Sequence, residues 1–262
     1  MREFGLIRYQ MGHSYSQRYF NQKFENLGID NVKYTLFPIS GIHKINNIVS
    51  SHKNLCGLNI TTPYKELVIP FLHEIDPVAI KLGTVNVVKV KRTERSFLLK
   101  GYNTDVYGLQ KVFDNINIKR NSRALILGSG GSGKTVSYVL EEREIPYTVV
   151  SREPSSIQQI TYNNITEAVV KNHNIIINAT PVGMYPNVDY CPEIPYQYIT
   201  KDHICLDLVY NPVKTSFIKK CKNAGAETIN GLTMFYEQAD KAWEIWNTEK
   251  YDFAENSIFI NA

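Results

Sequence analysis

Residues 128–133, Gly-Ser-Gly-Gly-Ser-Gly, are the stretch whose residue types and spacing carry the most specific chemistry in this sequence. They join the apolar run 123–127 to an amphipathic segment, the setting that a dinucleotide-binding G-x-G-x-x-G requires. In that reading Gly128 permits a tight turn, Gly130 lets backbone approach a pyrophosphate, and Gly133 lets the helix lie close to the strand. The free N–H groups at the helix start then face the anion. The same letters run on into Lys134 and Thr135, so residues 128–135 also satisfy G-x-x-x-x-G-K-[ST]. That is the phosphate loop of nucleotide hydrolases, for which Asp207 at a strand end would serve as the magnesium-associated acid. Spacing alone leaves both readings open, although the second gives the residues before Asp105 no role.

Cofactor choice is set after the next strand, where an acidic residue would bond a ribose 2′-hydroxyl and an Arg would accept a 2′-phosphate. Ser151-Arg152 stands there, so NADP is expected over NAD, with Glu153 opposing a phosphate. Further polar clusters stand at strand ends and loops, where side chains can converge on a ligand. They are His13-Ser14-Tyr15-Ser16, Asn59-Ile60-Thr61-Thr62-Pro63-Tyr64-Lys65, Gly83-Thr84-Val85-Asn86 and Asn103-Thr104-Asp105.

Two series of strands and helices must position these residues. The first has strands at 4–7, 32–37, 55–60, 84–90 and 97–102 and helices at 42–49 and 65–72. Its opening helix, capped by Ser16, places Tyr19, Phe20, Phe24 and Leu27 on one face. An amphipathic helix from Asp105 leads into the second series, with strands at 123–127, 147–150, 174–178 and 204–209 and a helix at 135–141. These strands are nearly continuous apolar runs, as in a parallel sheet covered on both faces. An amphipathic helix at 233–246 follows. The expected fold is α/β in two domains, the second doubly wound.

Composition agrees. A chain of 262 residues is comfortable for two domains at roughly 150 residues each. With 43% hydrophobic and 21% charged residues, it is not a disordered chain. Lys and Arg number 29 against 25 Asp and Glu, and they are scattered, so nucleic acid is not expected as a partner. No apolar run suits a bilayer and residues 1–10 lack a secretory signal, so a cytoplasmic protein without a membrane partner is expected. The four cysteines show no metal-ligand spacing; no metal is expected, and the thiols are expected reduced and mostly buried.

The polar clusters resemble, in order, the substrate-binding and catalytic blocks of shikimate dehydrogenase. The glycine stretch resembles that family's cofactor loop, and residues 178–184 (Asn-Ala-Thr-Pro-Val-Gly-Met) its INATPxGM segment. Residues 207–212 (Asp-Leu-Val-Tyr-Asn-Pro) resemble its DxxYxP block, and Gly231-Leu232-Thr233-Met234 with Gln238 its closing G-x-x-M and Gln. The resemblance implies NADPH-dependent reduction of 3-dehydroshikimate to shikimate, toward aromatic amino acids, by a monomer or homodimer. It implies a substrate-binding domain over 1–102, a Rossmann-like NADP-binding domain over 103–235, and a C-terminal helix within 236–262 returning to the first.

By the same resemblance Ser14 and Ser16 bind the substrate carboxylate. Asn59, Thr61, Asn86, Asp105, Tyr210 and Gln238 hold the ring hydroxyls and the reacting carbonyl. Lys65 is the acid/base, and an ion pair with Asp105 would hold it protonated over the carbonyl oxygen. Gly128, Ser129, Gly130, Gly131, Ser132, Gly133, Ser151, Arg152, Thr180, Leu208 and Gly231 contact NADP. The chain departs from the family pattern where Ser16 lacks a following Pro and where Ser151-Arg152-Glu153 replaces Asn-Arg-Thr. A phosphate-loop hydrolase, a silent nucleotide-binding module and a dehydrogenase acting on quinate as well as shikimate are the competing expectations.

Overall fold

β1 (Arg2–Arg8) is buried on both faces, with Phe4 and Ile7 fully enclosed, as a strand inside a covered sheet must be. The computed structural model describes residues 1–9, 12 and 14–253; His13 of the first polar cluster and residues 254–262 lie outside them. The chain packs as two units, one formed by Met1–Thr104 with the chain from Ala239 on, the other by Asp105–Gln238.

In the first unit β1 is followed by α1 (Tyr15–Asn26), β2 (Val32–Pro38), α2 (Ile45–Ser51), β3 (Leu55–Ile60) and α3 (Tyr64–Leu67). Then come β4 (Glu74–Ile75), α4 (Pro77–Leu82), β5 (Val87–Arg92) and β6 (Phe97–Tyr102). The sheet order is β2-β1-β3-β5-β6-β4, with β5 the antiparallel member. The register pairs Leu6 with Asn59, Asn59 with Val87, and Val87 with Tyr102. The C-terminal ends of β1, β3 and β6 therefore share one sheet edge with the start of β5. Phe20 and Phe24 of α1 cover one face with Trp246, while Ile45, Val49 and Val68 cover the other.

The expected helix over 65–72 is shorter. α3 stops at Leu67 and a single 3-10 turn, Ile69–Phe71, follows, because Pro70 has no N–H to continue the ladder. The expected strand over 84–90 begins at Val87. α4, absent from the sequence reading, occupies the chain just before it, capped by Asp76 and closed by Gly83 in the left-handed region at φ 65°.

The second unit comprises α5 (Asp105–Asp114), β7 (Ala124–Leu127), α6 (Gly131–Glu142), β8 (Tyr147–Val150), β9 (Gln159–Ile160) and α7 (Glu167–Asn172). β10 (Ile175–Asn178), β11 (Ile204–Asp207), α8 (Ser216–Asn223), β12 (Glu227–Ile229) and α9 (Leu232–Asn247) complete it, α9 running on into the first unit. Its strands are all parallel in the order β12-β11-β10-β7-β8-β9, the doubly wound arrangement expected. The order reverses between β7 and β10, so the crevice such sheets use for ligands opens beyond Leu127 and Asn178. No helix of the described residues is long and apolar enough to cross a membrane. Cys205 and Cys221 are buried and Cys56 and Cys191 half-buried, all as free thiols.

Candidate active site

In the first unit, the sheet edge gathers most of the residues expected to hold substrate. Ser14 is the N-cap of α1, its Oγ accepting from the Gln17 N–H at 3.3 Å. This corrects the expectation that Ser16 is the cap: the helix starts at Tyr15, and Ser16 lies in its first turn. The Gln17 side chain donates to Tyr34 O at 3.2 Å, and the Tyr34 hydroxyl donates to Asn59 Oδ1 at 2.7 Å. That chain of bonds ties the serine helix to the end of β3 and fixes the Asn59 amide with its N–H₂ still to donate. Thr61 follows, its N–H on Ile7 O at 3.3 Å.

Lys65 is half-buried in α3. Tyr64 beside it is 3% exposed and donates to Ile39 O at 2.5 Å, while Lys65 O accepts from Val85 N at 2.8 Å. The short helix is thus pinned on both sides, so little motion is left to the lysine's backbone. Asn86 is buried, its Oδ1 accepting from Thr104 N at 2.8 Å and its Nδ2 donating to Thr104 Oγ1 at 3.1 Å. Asn103 Nδ2 donates to Thr84 Oγ1 at 2.9 Å in the same way. These two crossed pairs hold the chain immediately before Asp105. Thr84, Asn103 and Thr104 stand in the sequence only as members of polar clusters with no role of their own, and Tyr34 carries no sequence signal at all.

In the second unit, the register sets Val150, Leu127, Asn178 and Asp207 side by side. Ser151, Gly128, Thr180 and Leu208 therefore follow at one edge. Gly128 has φ 109°, open to glycine, and a Cβ there would lie 2.8 Å from Thr180 Cγ2. A Cβ on Gly133 would lie 2.1 Å from Gly128 O, so only glycine lets the helix seat on the turn. Around Gly130 nothing lies within 4 Å of a Cβ position, leaving space for a ligand to meet backbone. The Gly231 Cβ position is 2.3 Å from Leu208 O, so that glycine lets α9 begin against the end of β11. Thr180 Oγ1 donates to Asn178 Oδ1 at 2.6 Å. Ser151 is buried and Arg152 exposed.

The loop geometry decides between the two motifs. α6 begins at Gly131, with Gly130 as its N-cap, four residues ahead of the start expected at Thr135. The Lys134 N–H already bonds Gly130 O at 2.9 Å, and Thr135, buried, bonds Gly131 O at 3.1 Å. Gly131, Ser132 and Gly133 are helical, so no extended loop remains to encircle a triphosphate, and the Thr135 hydroxyl is turned into the helix instead of toward a metal. The phosphate-loop reading is corrected on this ground.

Asp207 is fully buried and equally committed. Its Oδ1 accepts from Asn178 Nδ2 at 2.9 Å and Val209 N at 3.0 Å, and its Oδ2 from the Thr215 hydroxyl at 2.5 Å. Burial, the largest influence, pushes its carboxyl from 3.8 up to about 6, against lowering by Thr215, Val209 N–H and Asn178. Through that window the folded chain keeps a proton that the unfolded chain has lost. This group's contribution to stability therefore falls as pH rises toward 6 and is level above it. Asp207→Asn should gain on the order of 2–3 kcal/mol relative to wild type between about pH 4 and about pH 7. Melting temperatures across pH check this, and parallel curves for the two proteins would rule it out.

Tyr210, Gln238 and the start of α5 form a further group within the second unit. The Tyr210 and Phe235 rings meet tilted by 33° with centroids 4.8 Å apart, and Gln238 Nε2 donates to Phe235 O at 3.0 Å. A Cβ on Gly108 would lie 2.5 Å from Met234 O and 3.1 Å from Gln238 Cβ, so α5, which opens at Asp105, packs tightly on α9.

This chain is 36% identical to a shikimate dehydrogenase (NADP(+)) of Methanococcus maripaludis, over 98% of its own length and 95% of that protein's. The chain belongs to the shikimate dehydrogenase family. The sequence model for the shikimate dehydrogenase substrate binding domain matches residues 6–88. Among solved structures, shikimate dehydrogenase 1 from Peptoclostridium difficile superposes with a TM-score of 0.82 at 35% identity, covering 97% of this chain and 94% of that one. A family member solved in complex with NADP+ gives 0.76 at 28% identity, over 94% and 90%.

Proposed function

We propose that this protein is an NADP-dependent shikimate dehydrogenase, reversibly reducing 3-dehydroshikimate to shikimate in aromatic amino acid biosynthesis, in the cytoplasm. The observation that carries the reading is 36% identity, over 98% of the chain, to an enzyme of that activity, in a chain whose glycine loop leads straight into a helix at the switch point. The unit built on residues 1–102 binds substrate, residues 103–235 bind NADP, and the C-terminal helix within 236–262 belongs with the substrate side.

Space at Gly130, the close seat of Gly133 and the N-terminus of α6 fit a pyrophosphate, and Ser129, Gly131, Ser132, Ser151, Arg152, Thr180, Leu208 and Gly231 surround the rest of the cofactor. When bound, NADPH supplies the hydride that reduces the ketone. Ser14 and Ser16 at the start of α1 take the substrate carboxylate, where hydroxyls and the helix N-terminus favour an anion. Asn59, Thr61, Asn86, Tyr210 and Gln238 bond the ring hydroxyls. Lys65 gives a proton to the carbonyl oxygen as its charge develops and is reprotonated from solvent, with Asp105 orienting the ammonium.

The direct test follows NADPH absorbance after addition of 3-dehydroshikimate, and the reverse reaction with shikimate and with quinate. No NADPH consumption would overturn the reading. Because the loop acts through backbone, Lys134→Ala should leave this turnover largely unchanged. Magnesium-dependent ATP hydrolysis abolished by the same change would return the assignment to a phosphate-loop enzyme.

A further inference from the structure

We infer that Ser129 and Ser151 together form an acceptor for the 3′-hydroxyl of the cofactor's adenosine ribose, an assignment that rests on the proposed reading of the glycine loop as the dinucleotide site. The two residues follow different strands, β7 and β8, yet their hydroxyl oxygens lie 2.9 Å apart. Ser151 is only 5% exposed, and its Oγ also lies 3.1 Å from Glu153 O and 3.2 Å from Glu153 N.

A serine hydroxyl carries one proton and two lone pairs. The Glu153 carbonyl can only accept and the Glu153 N–H can only donate. Ser151 therefore gives its proton to Glu153 O, takes the Glu153 N–H on one lone pair, and takes the Ser129 proton on the other. The opposite orientation would leave one of these bonds unmade. Ser129, which is exposed, has then turned its only proton inward and shows lone pairs to solvent.

An exposed oxygen that only accepts selects a hydroxyl and offers a phosphate nothing. In a 2′-phosphorylated dinucleotide, the adenosine ribose keeps one free hydroxyl, the 3′. The neighbouring Arg152 is the cation for the 2′-phosphate, so the two recognition tasks fall to adjacent residues of opposite hydrogen-bonding character. Ser151 acts through Ser129 and is a positioning residue, joining the pyrophosphate loop to the ribose loop.

Calorimetric titration with ADP, 3′-deoxy-ADP and 2′,5′-ADP tests this without turnover. Ser129→Ala should weaken ADP and 2′,5′-ADP by about three- to tenfold, the scale of one neutral hydrogen bond, and leave 3′-deoxy-ADP unchanged. Ser129→Thr keeps the hydroxyl and should restore both. Ser151→Ala should give the same ligand pattern, and the double variant should be no worse than either single one. Equal weakening of 3′-deoxy-ADP, or undiminished binding of ADP by Ser129→Ala, overturns the assignment while leaving the dehydrogenase reading intact. A wild-type protein that binds none of the three nucleotides overturns both.

Discussion

Lys65→Ala should lower kcat by roughly a hundred- to ten-thousand-fold with little change in KM, the span expected when a general acid is removed and substrate binding is kept. The expectation follows from chemistry at one atom: hydride addition leaves charge on oxygen, and in the proposed mechanism the ammonium both stabilises that charge and neutralises it by proton transfer. The setting supports a fixed donor, since α3 is held by the buried Tyr64 hydroxyl on Ile39 O and by Val85 N on Lys65 O. Asp105→Asn should also be severe. On the proposed mechanism both residues serve one proton and one oxygen, so the double variant should lose much less than the product of the single losses. Steady-state kinetics on the three variants decide. A normal kcat with a sharply raised KM would make Lys65 a binding residue, and multiplicative losses would separate Asp105 from the proton step.

Local signals carried much of the fold. Residues 55–60 and 147–150 are strands at the predicted bounds because their apolar runs are flanked by polar breakers, and the doubly wound order follows from the strand-helix alternation after Asp105. Gly128, Gly130 and Gly133 were readable as a dinucleotide loop, but the competing phosphate loop could be set aside only once the helix was seen to start at Gly131. What the sequence withheld are pairings between distant residues: Tyr34 with Asn59, Asn86 with Thr104, Asn103 with Thr84. No periodicity encodes such bonds, because each partner is an ordinary polar residue until the sheet register sets them together. The cap of α1 is ambiguous in the sequence because Ser14 and Ser16, two positions apart, both suit an N-cap.

Arg152→Ala should raise KM for NADPH by about ten- to a hundredfold and change KM for NADH little, since only NADPH carries the phosphate a guanidinium can grip in charge-assisted bonds. Arg152 is exposed directly after β8, and its charge is close enough to Tyr162 to oppose the upward push that burial gives that phenol. The competing influence is Glu153, whose carboxylate repels a phosphate. The Ser151 hydroxyl holds both the N–H and the C=O of Glu153, so the turn that presents Arg152 is fixed whatever residue stands at 153. Glu153→Thr should therefore keep the turn, remove the repulsion and lower KM for NADPH severalfold without helping NADH. Kinetics with both cofactors on the two variants separate the effects. If Arg152→Ala moves both KM values alike, the guanidinium is a surface charge, and selection of NADP lies elsewhere in the loop after β8.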